Sequence, residues 1–281
     1  MGTKIEIRLD DDEFSTSKLN ELSNLAFKKF EFVVKHFSRF DENSELSKLN
    51  RSSGETFKVS KELFYLIKLN LFVAKQTNYI FDPTIIDLLK AFGYSKNYNE
   101  GEIFNKLQEK NFKKQILEIK KHRKNAKDIE LNSKNLSVKL PKDVEIDLGA
   151  SAKGLAIDLA CEVLNKYNVK KFLINAGGDI YSKGVHKIAL FNPKTNYKNY
   201  EKINLKNEAI AGSGSWAKKV GIFSHIINPT LTDPKGNKLF QQVYVIAKNA
   251  TIADIYSTAL YLLGKQGIKL IKDNNLRAIV Y

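Results

Sequence analysis

A carboxylate and two hydroxyls recur at helical spacing in "ADIYSTAL", residues 253–260. Asp254 is followed by Ser257 three positions later and by Thr258 four positions later, so all three side chains fall on one face of a helix. A carboxylate with neighbouring hydroxyl or carbonyl oxygens is a ligand set for a hard cation such as Mg²⁺, which also binds phosphate oxygens. The alternative is structural, because an acid in a first helical turn suits the helix dipole and Thr258 can bond back to its own helix.

A second candidate site is "DLGASAKGLAID", residues 147–158. The pattern predicts a strand, a bend of small residues and a helix from about Ser151, whose first backbone N–H groups would bind an anion. Lys153 lies in the first turn, where the helix dipole disfavours a cation, so its presence indicates an anionic ligand. Asp147 could accept hydrogen bonds from that ligand, or it could cap an ordinary turn between strand and helix.

Five further segments carry weaker signals. Glycine-rich "NAGGDI" (175–180) and "AGSGSW" (211–216) leave room either for a ligand or for close packing. "FSHIINP" contains His225 in an irregular loop, where it could act as a base or be a structural histidine. Aromatic residues in "FDPT" (81–84) and "AFGY" (91–94) suit stacking on a planar ring and suit a protein core equally well.

The elements that must position these residues are helices mixed with strands. Ser15 or Ser17 can cap a first long helix, and Ser60 a second one. Apolar residues recur at helical spacing along the first helix, at Leu22, Leu25, Ala26, Phe30, Val33 and Phe37. We expect strands over 3–9 and 144–150 and several more in the C-terminal half, without strict alternation of strand and helix. The predicted fold class is α+β, with mixed or antiparallel sheets flanked by helices.

Composition limits the possible functions. The 281 residues are 43% hydrophobic, enough for a globular core, and carry a net charge of +15. The basic residues are spread widely, and the densest basic run, 113–127, has no interleaved aromatic residues to stack on bases. A solvated basic surface therefore explains the charge better than nucleic-acid binding. No apolar stretch approaches the roughly 20 residues of a membrane helix, and Cys161 stands alone, which excludes an internal disulfide framework.

Taken together, the motifs resemble the ApbE-type flavin transferases, the FAD:protein FMN transferases. The resemblance covers nearly the whole chain and rests on order and spacing. The matching segments are "MGT" (1–3), "FSRFDENSELSKLN" (37–50), "FDPT" (81–84), "DLGASAKGLAID" (147–158), "NAGGDI" (175–180), "SHIINP" (224–229) and "ADIYSTAL" (253–260). It implies a T-fold-related architecture with a flavin cleft, built as one catalytic unit over 1–281 with lobes of about 1–140 and 141–281.

The resemblance also implies an activity and a set of residues. Family members use Mg²⁺ to move the FMN half of FAD onto a Ser or Thr hydroxyl of an acceptor protein, and AMP leaves. The implied metal ligands are Asp254, Thr258, the Ala150 carbonyl and a Ser257 oxygen. The implied FAD contacts are Met1, Phe40, Phe92, Gly93, Tyr94, Asp147, Lys153 and Ile227, and His225 resembles the family's general base. This sequence departs from the family at Phe40, where many members have Tyr, and at Asn228, where Asp is usual.

Partners and compartment follow from the same resemblance. The expected partners are FAD and a respiratory-type flavoprotein with a Ser/Thr flavinylation motif. Exported relatives imply a periplasmic protein associated with the inner membrane through a lipid anchor that this chain lacks. A natural start at Met1, without a signal peptide, would imply a cytoplasmic protein. Two other functions use the same residues: a Mg²⁺-dependent FAD pyrophosphatase that yields FMN and AMP, and a non-catalytic FAD-binding protein.

Overall fold

The computed structural model describes residues 2–91, 116–195, 200–214, 219–220, 223–224, 226–230 and 240–281. Five residues implied in the site lie outside these ranges: Met1, Phe92, Gly93, Tyr94 and His225. Their assignments stay predictions.

A six-stranded antiparallel sheet forms the centre of the fold. Its strand order is β1-β5-β6-β7-β10-β11. The bounds are β1 (Ile5–Leu9), β5 (Phe172–Ala176), β6 (Asp179–Phe191), β7 (Tyr200–Gly214), β10 (Gln242–Ala247) and β11 (Arg277–Val280). A small sheet of order β2-β4-β3 contains β2 (Thr56–Lys58), β3 (Glu130–Asn132) and β4 (Ser137–Lys139), and β8 (Lys219–Val220) pairs with β9 (Phe223–Ser224). The predicted mixture of antiparallel sheets and helices is confirmed.

Several helices begin at a residue whose side chain caps the first turn. Their bounds are α1 (Thr16–Phe37), α2 (Glu45–Arg51), α3 (Lys61–Gln76), α4 (Ile86–Ala91), α5 (described over 116–122), α6 (Ala152–Lys166), α7 (Ala250–Leu263) and α8 (Gly267–Asp273). Ser15, Ser60 and Asn249 accept hydrogen bonds from backbone N–H groups in the first turns of α1, α3 and α7. Gly264 ends α7 with a φ of 58°, a left-handed conformation that glycine adopts without strain. Within the described ranges, no helix is long and apolar enough to cross a bilayer.

Helices α1, α6 and α7 pack together against the large sheet, and this places the core. The predicted stripe of α1 is buried at Leu22, Ala26, Phe30, Val33 and Phe37. Those side chains share one apolar cluster with the buried face of α6, including Cys161, and with β5. The same cluster contains residues from before and after position 140, and β1 pairs with β5. The division into lobes near residue 140 stays a prediction.

The strand expected over 144–150 is wrong. Burial does alternate at Val144, Ile146 and Leu148, as it would in a strand. However, the backbone of Ile146 bonds to a side chain instead of a strand: its N–H donates to Asn50 Oδ1 (2.9 Å) and its carbonyl accepts from Asn50 Nδ2 (3.1 Å). The buried amide of Asn50 satisfies both groups, so this segment runs extended without joining a sheet.

One arginine of the basic run 113–127 is not on the solvated surface. Arg123 has a side chain only 9% exposed, which lies 3.1 Å from Asp82 and donates to Thr84 Oγ1 at 3.0 Å. The ion pair fixes the "FDPT" turn at the edge of the cleft described next.

Candidate active site

The predicted motifs converge on one cleft of about 1060 Å³. Its wall includes residues from the bend before α6, from α7, from the β5–β6 turn and from the end of α1. The predicted site residues that line it are Phe40, Asp147, Ala150, Lys153, Ile227, Asp254 and Thr258. The tertiary structure thus brings together segments more than 100 positions apart in sequence.

A lysine between two aspartates forms the charged end of the cleft. Lys153 Nζ lies 3.0 Å from Asp254 Oδ1, 3.1 Å from Asp254 Oδ2 and 3.0 Å from Asp179 Oδ2. Both carboxylates are almost fully buried. The backbone N–H of Gly154 also donates to Asp254 Oδ2 at 3.0 Å.

This arrangement changes the interpretation of the start of α6. The sequence predicted an anionic ligand there because of Lys153. The structure provides a carboxylate from within the chain, since Asp254 binds both the ammonium of Lys153 and the backbone N–H of Gly154. Other amides of the bend are engaged as well: Gly149 N–H donates to Asp147 Oδ1, and Ser151 N–H donates to the Leu148 carbonyl.

The cluster has an excess of buried negative charge. Two ionised carboxylates and one ammonium sum to −1. Burial and the neighbouring Asp179 carboxylate together raise the pKa of Asp254 to about 7, against the opposing effects of Lys153 and the Gly154 N–H. For Lys153, burial acts to lower the pKa, but the carboxylates of Asp179 and Asp254 outweigh burial and raise it, so the ammonium stays charged. A further cation beside the carboxylates would complete the neutralisation.

Hydroxyl groups lie next to these acids. Ser213 Oγ lies 2.8 Å from Ser257 Oγ and 3.3 Å from Thr258 Oγ1. Ser257 donates to the Asp254 carbonyl at 2.9 Å and is completely buried. Thr258 lines the cleft, whereas Ser257 does not line it. Of the two predicted hydroxyl ligands, the structure presents Thr258 to the cleft and places Ser257 behind it.

The donor set fits a hard divalent cation. Asp179 Oδ2 is buried and, apart from its ion pair with Lys153, has no hydrogen-bond partner, and the Asp254 carboxylate, the Thr258 hydroxyl and the Ala150 backbone line the same cleft. No group of three His, Cys, Asp or Glu side chains within the described ranges could hold a metal. Carboxylate, hydroxyl and carbonyl oxygens are the ligand types that hard cations such as Mg²⁺ take in proteins.

Another part of the wall is formed by Asp147 and its neighbours. Asp147 Oδ2 accepts from Arg39 Nε at 2.7 Å, and its other oxygen caps the bend at Gly149. The Arg39 guanidinium carbon lies 4.0 Å from the centre of the Phe40 ring, a cation–π contact. Asp147 therefore caps the turn before α6, which is one of the two roles that the sequence allowed. It also holds Arg39 at the cleft.

Sequence reasoning missed three residues of this site: Arg39, Asp179 and Ser213. Asp179 follows directly after the glycine pair of "NAGGDI", where a tight turn places an acid at the start of β6. Arg39 stands inside the quoted "FSRFD", and Ser213 inside "AGSGSW". Nothing in the spacing of these residues indicated that they would meet Asp254 or Asp147.

The fold and the cleft define an α+β protein whose ligand site combines buried acids, one paired ammonium and hydroxyls. The chain belongs to the ApbE family, whose model matches residues 1–280. The FAD:protein FMN transferase of Vibrio cholerae is 25% identical over 263 residues, which cover 89% of this chain and 76% of that relative. The FAD:protein FMN transferase of Buchnera aphidicola is 26% identical and covers 99% and 83%, respectively.

Solved structures agree with this assignment. The crystal structure of the ApbE protein of Thermotoga maritima matches with a TM-score of 0.84 at 27% identity, covering 99% of this chain and 91% of that one. The flavin transferase ApbE of Vibrio cholerae has the same fold, with a TM-score of 0.84 at 22% identity over 100% of this chain and 90% of that one. The α+β fold predicted from the family resemblance is confirmed.

Proposed function

We propose that this protein transfers the FMN moiety of FAD to a Ser or Thr hydroxyl of an acceptor flavoprotein and releases AMP. The observation that carries the proposal is the Lys153–Asp179–Asp254 cluster at the wall of a cleft of about 1060 Å³. That volume is at the upper end of the range for small-molecule sites and suits a dinucleotide. The activity of the relatives named above supports the same conclusion.

The reaction exchanges a phosphoanhydride bond for a phosphoester bond. The acceptor hydroxyl oxygen attacks the phosphorus of the FMN half, a new phosphorus–oxygen bond forms, and the bond to the bridging oxygen of the pyrophosphate breaks. AMP leaves with that oxygen. His225 takes the hydroxyl proton, help that is typically worth about 10²–10⁴-fold in rate.

Charge neutralisation is the main task of the remaining residues, since phosphoryl transfer depends on positioning and electrostatics. Asp254, Thr258 and the Ala150 carbonyl would hold Mg²⁺, with the Ser257 oxygen predicted from the resemblance. When bound, the ion offsets the negative charge of the pyrophosphate. Lys153 keeps its positive charge beside the same carboxylates and can stabilise the departing phosphate. Phe40, Asp147 and Ile227 line the cleft for FAD.

The test is a labelling reaction with FAD, Mg²⁺ and a flavoprotein acceptor, followed by mass spectrometry of the intact acceptor. We expect a mass gain of one FMN and stoichiometric AMP, both abolished by EDTA. Free FMN with an unlabelled acceptor would identify a pyrophosphatase instead, and FAD that is bound but unchanged would identify a carrier. An acceptor with Ala in place of its Ser or Thr is the matched control, because it offers the same surface without a nucleophile.

The substitution His225→Ala is expected to slow transfer by about 10²-fold or more, because the acceptor hydroxyl loses its base. FAD affinity should change little. Single-turnover rates and FAD titrations on the same protein separate the two effects. If affinity falls and the single-turnover rate does not, His225 is a binding residue and not the base.

The apparent affinity for Mg²⁺ is expected to fall as the pH drops below about 7, the pKa to which burial raises Asp254. A metal must displace the proton from this carboxyl, so each pH unit below the pKa costs up to about tenfold in affinity, and above the pKa the affinity levels off. In the metal-free protein, the same carboxyl makes the folding stability depend on pH in the opposite sense. Because its folded-state pKa lies above the unfolded value, the group adds stability at low pH, and this contribution is lost as the pH rises to the folded-state pKa. Mg²⁺ titrations on both sides of this pKa measure the effect, and a half-saturating concentration independent of pH would contradict it.

A further inference from the structure

Helix α6 is hydrogen-bonded to α7 at two points one helical turn apart. The mechanism above uses only one of them. At the first point, Gly154 N–H and Lys153 bind Asp254. At the second, Asp158 Oδ1 accepts from Ala250 N–H at 2.7 Å. Going from residue 154 to 158 along α6 corresponds to going from 254 back to 250 along α7, so the two helices run antiparallel here.

The second contact involves three donors from the start of α7. Besides Ala250, the backbone N–H of Thr251 donates to Asp158 Oδ2 at 2.9 Å, and the Thr251 hydroxyl donates to the same oxygen. Both α7 residues are buried. A single carboxylate thus satisfies the first two backbone N–H groups of α7, which have no partner within the helix.

Helix α7 has a separate N-cap within its own chain segment. Asn249 Oδ1 accepts from Ile252 N–H at 2.9 Å, and the Asn249 carbonyl accepts from Ala253 N–H at 3.2 Å. These bonds stabilise the helix but do not connect it to α6. The bonds of Asp158 are different because they join two elements, and they act at a place where the helices touch closely.

That close contact is visible at Gly154. A Cβ atom there would lie 2.3 Å from the Ala250 carbonyl oxygen and 2.6 Å from Thr251 Cα. The backbone of α6 therefore lies directly on the first turn of α7. Two hydrogen-bonded contacts, together with the tight backbone packing at Gly154, leave α7 little freedom to slide or rotate.

We propose that Asp158 is a positioning residue that holds the start of α7 on α6 and thereby sets where Asp254 and Thr258 stand in the cleft. That Asp158 fixes the position of α7 follows from the geometry alone. That this position affects the Mg²⁺ dependence of transfer rests on the proposed function. Asp158 does not line the cleft, so it acts through α7 and not on the substrate. Its carboxylate accepts hydrogen bonds from three donors through two oxygens. An amide has only one acceptor oxygen and cannot replace it.

The test compares Asp158→Asn with Asn249→Ala. The first turns one acceptor into a donor that faces the N–H groups of α7, and the second removes the cap of the same helix without touching the contact between helices. Two quantities are measured: hydrogen exchange of the Gly154 amide in the protein alone, by NMR, and the Mg²⁺ concentration for half-maximal FMN transfer. For Asp158→Asn we expect both to rise by about tenfold or more, the size seen when groups that orient metal ligands are removed. For Asn249→Ala we expect smaller rises, of no more than about fivefold, the effect of losing one helix cap.

Equal changes in the two variants, or no change in Asp158→Asn, would overturn the proposal and leave Asp158 as an ordinary cap. If Asp158→Asn does not fold, Thr251→Val removes only the hydroxyl donor. We then expect the same two shifts at about two- to fivefold, and wild-type values would overturn the proposal. Should wild-type protein transfer no FMN at all, the proposed function fails, while Gly154 exchange still decides the positional claim.

Discussion

Asp254→Asn is expected to slow Mg²⁺-dependent FMN transfer by about 10³-fold while leaving the fold intact. The variant keeps the shape of the side chain and removes the charge that a divalent cation would bind. Loss of one preorganised electrostatic group typically costs about 10²–10³-fold, and because Asp254 serves both the metal and Lys153 we expect the upper end of that range. Transfer rates at saturating FAD measure the effect.

Stability should change little in this variant, because two effects oppose each other. The substitution weakens hydrogen bonds to Lys153 and Gly154, but it also removes a carboxylate whose burial, next to Asp179, raises its pKa and disfavours its charged form. We expect the free energy of unfolding to change by no more than about 1 kcal/mol. Glu162→Gln, which neutralises an exposed acid on α6, is the matched control and should transfer FMN at the wild-type rate. Wild-type turnover in Asp254→Asn would remove the metal assignment.

Gly154→Ala is expected to have the second-largest effect, through displacement of α7. The new methyl group would lie 2.3 Å from the Ala250 carbonyl oxygen and 2.6 Å from Ala250 C and Thr251 Cα. These are backbone atoms, so no side chain can rotate away, and the helices must separate. Overpacking of this kind costs about 1–3 kcal/mol in stability, and a shift of about 1 Å in the Asp254 carboxylate can cost about 10²-fold in rate.

Gly54→Ala separates destabilisation from displacement. Gly54 has a φ of 95°, so alanine there strains the backbone, yet its Cβ would meet nothing closer than 3.6 Å, from Lys142. We expect a stability loss of about 1 kcal/mol and unchanged transfer. Thermal unfolding and transfer rates for both variants make the comparison. Equal losses of activity in the two variants would show that Gly154 matters only through global stability.

Much of the fold could be predicted from the sequence because its signals are local. Capping side chains at Ser15 and Ser60 and the apolar stripe of α1 act within one or two helical turns, so spacing alone places these elements. The same holds for the shared helical face of Asp254 and Thr258. The failure over 144–150 has a physical reason: alternating burial is local, but the partner of its backbone is the distant side chain of Asn50.

The site depended on contacts that no local pattern contains. The sequence determined that this chain carries an acid beside a hydroxyl on one helix, a lysine at the start of another, and glycine turns between strands. Only the tertiary structure decided that Lys153 pairs with both Asp179 and Asp254 and that Asp158 holds the start of α7. The reason is that an ion pair across 100 positions is set by how helices pack on the sheet, and packing is decided by the whole core at once.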